Sequence, residues 1–171
     1  MKGGLFVPHW NDWEMCGYAT NTSAVTSFTC TLRRTFRFLR VYLHCMGLSV
    51  GDRVSWRFNG DTGTNYGWQI SRSSAAATGN TAQTSMSYTA SAGTNTTPRL
   101  IVFNVLNISS SQKLVTGCSI TISSGTVTEQ SHFAGTWNNT SAQITSIEAR
   151  TLSGTPTYTA GSSVAVFGSN F

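Results

Sequence analysis

The side chains with most chemistry to offer in this 171-residue chain are six carboxylates, three histidines and four cysteines. The carboxylates are Asp12, Glu14, Asp52, Asp61, Glu129 and Glu148. Glycoside hydrolysis needs two carboxyls roughly 5 to 9.5 Å apart across a sugar. Asp52 and Asp61 bracket one extended stretch, and at about 3.3 Å per residue its ends lie much farther apart than that. Asp52 reads more simply as the turn residue that leads into the stretch. A hydrolytic triad would set His9, His44 or His132 beside a nucleophile and an acid, yet there is no Gly-x-Ser-x-Gly elbow. His44 and Cys45 are neighbours on an expected strand, so they point to opposite faces and do not share a metal. Walker, dinucleotide and calcium-loop patterns are missing. Asp61, with Gly60 and Gly63 around it, reads as a turn residue before a calcium ligand. These observations argue against an enzyme and for no cofactor or metal.

The elements that would position these groups are strands. Ser and Thr dominate, and charged residues make up only 10%. β-Branched Thr is stiff at χ1, and Ser and Thr compete for backbone hydrogen bonds inside a helix, so almost no helix is expected. A chain of this length forms one domain that buries roughly 70% of its unfolded surface without help from disulfides. Cys16, Cys30, Cys45 and Cys118 are widely spaced with no Cys-x-x-Cys pair, and they read as free, small, buried hydrophobes in a reducing compartment. No apolar run approaches the roughly 18 residues that span a bilayer. The first residues do not resemble a signal peptide, so assembly in a cytoplasm is expected.

Asp52 to Ile70 shows the clearest alternation. Val54, Trp56 and Phe58 share one side of a strand, with Arg53, Ser55 and Arg57 on the other. Asn59-Gly-Asp-Thr-Gly63 interrupts with residues that tolerate positive φ, and Tyr66, Trp68 and Ile70 resume the pattern. The expectation is a β-hairpin with an aromatic inner face. Upstream, residues 1–20 show no period of two and are read as an N-terminal arm, whose Phe6, Trp10 and Trp13 must dock on something apolar. Residues 21–171 form the domain. Further strands are expected within Ser23 to Thr31, Phe36 to His44, Gln83 to Tyr88, Arg99 to Ile108, Lys113 to Ile122, Thr126 to Gly135, Ile144 to Leu152 and Ser162 to Gly168. Ser71 to Gly79 is expected to be a loop. About ten short antiparallel strands with Gly, Ser and Asn turns describe an all-β sandwich, and their number favours a jelly roll over an immunoglobulin-like fold.

Net charge is +5, and nine of the eleven basic residues are arginines. Leu32-Arg-Arg-Thr-Phe-Arg-Phe-Leu-Arg40 interleaves arginine with aromatics as single-strand nucleic-acid binders do. On a strand, however, Phe36, Phe38 and Arg40 share a face that Arg37 does not, so no continuous stacking platform forms. Nucleic acid is therefore not the expected partner. Few charges and many hydroxyls suit a surface that other subunits cover.

Arg57-Phe-Asn-Gly-Asp-Thr-Gly-Thr-Asn-Tyr66, preceded by the apolar strand Leu39 to Leu43, resembles a motif of small structural proteins of tailed bacteriophages. Gly135-Thr-Trp-Asn-Asn-Thr-Ser-Ala-Gln-Ile-Thr-Ser-Ile147 and Tyr158-Thr-Ala-Gly-Ser-Ser-Val-Ala-Val-Phe-Gly168 are similar to that family's closing strands. The resemblance spans about residues 22 to 168 and does not extend to the aromatic arm. It implies a virion component without enzymatic activity, either a head decoration (cement) protein or a tail or fibre module. Asn59, Gly60, Asp61, Gly63 and Tyr66 are then a structural turn motif. The expected protein is a trimer bound to the major capsid protein on the virion, with the arm laid into grooves of a neighbour. The alternative is a carbohydrate-binding tail module, which would stack a sugar on Tyr66 or Trp68 and needs those rings exposed.

Overall fold

A computed structural model describes residues 13–72, 75–87 and 97–170. Phe6, Trp10, His9 and Asp12 lie outside the described residues. The described chain is all β, in two antiparallel sheets. Its strands in chain order are β1 (Glu14–Thr20), β2 (Ser27–Thr31), β3 (Phe38–Cys45), β4 (Val54–Phe58), β5 (Tyr66–Arg72), β6 (Ala75–Gln83), β7 (Met86–Ser87), β8 (Arg99–Leu106), β9 (Lys113–Ser123), β10 (Thr126–Trp137), β11 (Ser146–Thr151) and β12 (Ser163–Ser169). The large sheet has the order β1-β12-β3-β8-β9-β10-β5-β6, and the small sheet β2-β11-β4-β7. The two sheets form a β-sandwich. Apart from β5–β6 and β8–β9–β10, which run consecutively within the large sheet, successive strands alternate between the sheets.

That alternation corrects the expected hairpin from Asp52 to Ile70. β4 belongs to the small sheet and β5 to the large one, so the turn between them is an arch that crosses the sandwich. The aromatic alternation does point inward on both strands, but the rings of β4 pack across the core mainly on rings of β8 and β10, with Phe58 also reaching Tyr66 of β5. Trp56 stacks on Phe103 at 4.7 Å between centroids and leans on Phe133 at 5.4 Å. Phe58 meets Trp137 at 5.6 Å and Tyr66 at 6.2 Å. Each ring of this kind, fully buried, contributes about 1.5–3 kcal/mol over its exposed state. Ser55, placed outward by alternation, is buried too, and its hydroxyl donates to the Arg150 carbonyl at 3.2 Å.

Gly117 shows how closely this core is fitted. Its cross-strand partners are Phe103 on one side and Phe133 on the other. Those rings meet edge to face at 6.3 Å. A Cβ on residue 117 would lie 2.6 Å from both the Phe103 Cβ and the Phe133 Cζ. The turn that closes β9 onto β10 has Ser124 and Gly125 at φ 50° and 77°, the two-residue form whose twist matches its strands.

Three further expectations are corrected. Residues 14–20, read as part of the arm, are β1, the outer strand of the large sheet, paired with β12. A bulge between Met15 and Gly17 breaks the period of two that would have revealed it. Residues 75–79, read as loop, belong to β6, whose residues 77–82 are all exposed. An edge strand that buries nothing carries no hydrophobic alternation. Lastly, all four cysteines are free, but only Cys16, Cys30 and Cys45 are buried, whereas Cys118 is exposed on β9.

Candidate interaction face

Asp61 is the hub of the quoted turn motif. Its Oδ1 accepts from the Gly63 amide at 2.8 Å, while Oδ2 accepts from Asn65 Nδ2 at 2.9 Å and from the Trp137 indole at 2.7 Å. Burial alone would raise the carboxyl's pKa, but the bonds from Trp137, Asn65 and Gly63, with the charge of Arg57, hold it below the usual value. Asn59 and Gly60 have φ of 54° and 65° and turn the chain out of β4. The Asn59 side-chain oxygen accepts from the backbone amides of Thr145 and Ser146 at 2.7 and 3.1 Å. Tyr66 is fully buried and its hydroxyl accepts from the Phe58 amide at 3.0 Å. The five motif residues thus tie the arch to β10 and to the start of β11.

The other carboxylates of the described residues serve the same kind of purpose. Asp52 caps Ser153, accepting from its amide at 3.0 Å and its hydroxyl at 2.9 Å. Glu14 pairs with Arg34, Glu148 lies 4.0 Å from Arg57, and Glu129 accepts from Ser131 at 3.1 Å. Among the described residues, no three His, Cys, Asp or Glu side chains converge as metal ligands would. Two arginines of the aromatic run, Arg34 and Arg40, are engaged locally. The Arg34 guanidinium lies 4.6 Å from the Phe36 ring, and Arg40 donates to Asn104 at 2.9 Å while resting 5.3 Å from the Trp13 ring.

The surface that stands out is the outer face of the large sheet. Strand register places its side chains in rows. One row runs Tyr18, Ala165, Tyr42, Val102, Cys118, His132 and Ser71, and the next runs Met15, Phe167, Arg40, Asn104, Thr116, Ala134 and Gln69. Phe38, Leu106 and Leu114 belong to a third, and His44, Leu100 and Ile120 to a fourth. In these rows Arg40 is the one side chain with a permanent charge. An antiparallel sheet with a solvated outer face usually carries charged and polar residues there. Here Tyr18 is 60% exposed, Met15 54% and Leu114 51%. Tyr42 and Phe167 meet edge to face at 5.8 Å beside them, and both are half-buried. Contiguous apolar surface of this kind marks a place where another molecule sits.

The face has two parts. Over β1, β12 and β3 it carries Met15, Tyr18, Tyr42 and Phe167. Over β8, β9, β10, β5 and β6 it is concave. A hollow of about 280 Å³ lies between Trp13, Phe38, Leu106 and Leu114. It shares Leu114 with a second hollow of about 660 Å³ over Gly67, Gly79, Ala134 and Thr136. A third, of about 310 Å³, reaches His132 and Ser71.

Trp13, expected to dock, is therefore seen docked on its own sheet. The sequence signal for this face lies in β3, apolar on both sides and so either central to a sandwich or carrying its second face into a subunit contact; β8, whose outer row also carries Leu100, Val102 and Leu106, extends it. The sequence reading missed Lys113, which is fully buried. Its ammonium donates to the carbonyls of Ser111 and Asn139, each at 2.7 Å, and burial lowers its pKa. Against protein-family models, curated proteins and solved structures alike, the chain gives no match.

Proposed function

We propose that this protein is a structural subunit of a bacteriophage virion, specifically a decoration protein that docks on the shell of major capsid protein and holds neighbouring subunits together. The observation that carries this reading is the aromatic patch over β1, β12 and β3, a nearly uncharged apolar surface on the large sheet. Aromatic anchors of this type supply most of the energy of protein interfaces. The strand order supports a jelly roll, with β1-β12-β3-β8 facing β2-β11-β4-β7 and the hairpins β5–β6 and β9–β10 widening the first sheet. Jelly rolls serve in viral shells and in lectins, so the fold leaves the choice to the surface. The tail-module alternative relied on a sugar stacking on Tyr66 or Trp68. Those rings are 0% and 6% exposed, which removes that platform.

As a decoration protein it would assemble in the host cytoplasm, act as a homotrimer around three-fold positions of the shell, and need no cofactor. The test is to mix purified protein with bare phage heads and, separately, with intact host cells, and to follow which one it sediments with. Saturating binding to heads at a fixed ratio to capsid protein, weakened by Tyr18→Asp, supports the reading. Binding to cells and not to heads overturns it.

A further inference from the structure

Two of the four cysteines stand together, on the end strands of different sheets. We propose that Cys16 and Cys30 are a latent disulfide, which a small-molecule disulfide oxidises to a bridge joining the two sheets at their β1–β2 side. This does not rest on the virion reading.

β1 is the end strand of the large sheet, and β2 is the end strand of the small one. The chain leaving β2 passes close to β1, since the Arg33 amide donates to the Cys16 carbonyl at 2.8 Å. The bulge in β1 is what turns Cys16 toward it. Met15 pairs with Phe167 and Gly17 with Val166, so Cys16 is the extra residue. In a regular strand residues 16 and 17 would face opposite sides; here both are buried, between exposed Met15 and Tyr18. A Cβ on residue 17 would lie 2.7 Å from Cys30 Sγ. The Cys30 thiol therefore rests on the backbone of residue 17, next to Cys16. The thiols also sense each other, because burial raises Cys30 to about 11 and the neighbouring Cys16 adds to the rise.

The oxidation is two displacements at sulfur. The Cys16 thiolate attacks one sulfur of glutathione disulfide, forming a mixed disulfide and releasing one glutathione thiolate. The Cys30 thiolate then attacks Cys16 Sγ, which forms the protein bridge and releases the second glutathione. The protein gives up two electrons and two protons, and the oxidant takes up both. Since both thiols are buried and burial raises them, the exchange runs when β1 opens from β12, its one strand partner in the large sheet. A reducing compartment keeps the dithiol, and an oxidising one closes the bridge. The bridge then pins the strand whose outer side carries Met15 and Tyr18.

To test this, the wild-type chain is refolded from urea in glutathione disulfide, trapped with iodoacetamide and mapped by peptide mass spectrometry without reduction. The peptides of Cys16 and Cys30 should be linked to each other, and the protein should be lighter by two hydrogens. The bridge closes a loop of 15 residues, so Tm should rise by about 6–12 °C and return when dithiothreitol is added. Cys118→Ser should keep the link and the rise, and Cys30→Ala should lose both. A map in which Cys16 and Cys30 are alkylated, carry glutathione alone or link to another cysteine would overturn the proposal, and so would a Tm rise retained in Cys30→Ala. The map uses the wild-type chain, so it decides the proposal even where a variant fails to fold.

Discussion

Replacing Asp61 with asparagine is ordinarily a mild change, and at this position it should not be. The carboxylate faces three N–H donors, from Gly63, Asn65 and Trp137. Only a group that accepts on both oxygens satisfies them. An amide has one accepting oxygen, and whichever way it is turned its NH2 confronts a donor. The Trp137 indole is the partner with least recourse to water, since the residue is 1% exposed. A buried donor left unpaired costs about 1–3 kcal/mol, and the lost charge-assisted bond adds to it, so about 2–4 kcal/mol is expected. For a domain of this size that lowers Tm by about 5–15 °C. Trp137→Phe removes the indole donor while keeping a ring against Phe58. In that background Asp61→Asn should cost at least about 1 kcal/mol less, which a double-mutant cycle by urea denaturation measures. The pH dependence has a fixed sign. The folded pKa is depressed below an unfolded value of about 3.9, so the contribution is present above that value and is lost as pH falls through the folded pKa. The gap between wild type and Asp61→Asn should therefore narrow in acid. A variant within about 0.5 kcal/mol of wild type at neutral pH, or a gap that stays constant down to about pH 2, would refute the assignment of Asp61 as the arch's acceptor.

Three other expectations follow from the same structure. Gly117→Ala would drive its methyl into Phe103 and Phe133 and should destabilise by more than about 3 kcal/mol, seen as loss of soluble protein or a steep fall in denaturant midpoint. Lys113→Met keeps the volume but leaves the carbonyls of Ser111 and Asn139 without their donor, and about 2 kcal/mol should be lost; an unchanged Tm would show that water replaces the ammonium. Burial pushes the thiols of Cys30 and Cys45 up to about 11 from 9.0, so their contribution is complete below about pH 9 and is lost as pH rises toward 11. Thermal melts should show that alkaline decline, and Cys45→Ala should flatten it.

Strand positions were largely legible because inward alternation is a local property. Leu39, Val41 and Leu43, or Val54, Trp56 and Phe58, can each be assigned to a face from their own spacing. Pairing is not local. β4 and β5 alternate in the same way whether they lie side by side or across the core, so the aromatic pattern alone cannot distinguish a hairpin from an arch. The loop held a clue. Asn59 and Gly60 adopt the positive φ of a tight turn, but Thr62 to Asn65 then run on before β5 begins, which is longer than the favoured two-residue hairpin loops. Asp61 was identified as a turn residue, yet its main partner, Trp137, lies 76 positions away, and no spacing rule reaches that far. β1 and β6 were missed for opposite reasons, a bulge that shifts the phase in one and a lack of anything to bury in the other.

The strands that are apolar on both sides carry the strongest functional message. In a sandwich, one face of each sheet is covered by the other sheet, and for β3 and β8 that accounts for Leu39, Val41, Leu43, Ile101, Phe103 and Val105, all buried. It does not account for Phe38, Tyr42, Leu100, Val102 and Leu106 on the opposite side, which are half-exposed. Exposed apolar side chains scattered singly would need no explanation. Aligned in register across neighbouring strands, with Arg40 as the one fixed charge among them, they form a second surface that excludes water as the core does. A chain that keeps such a surface does so because something covers it. The concave part begins at the chain's own Trp13, whereas the patch of Met15, Tyr18, Tyr42 and Phe167 has no comparable cover in the described chain.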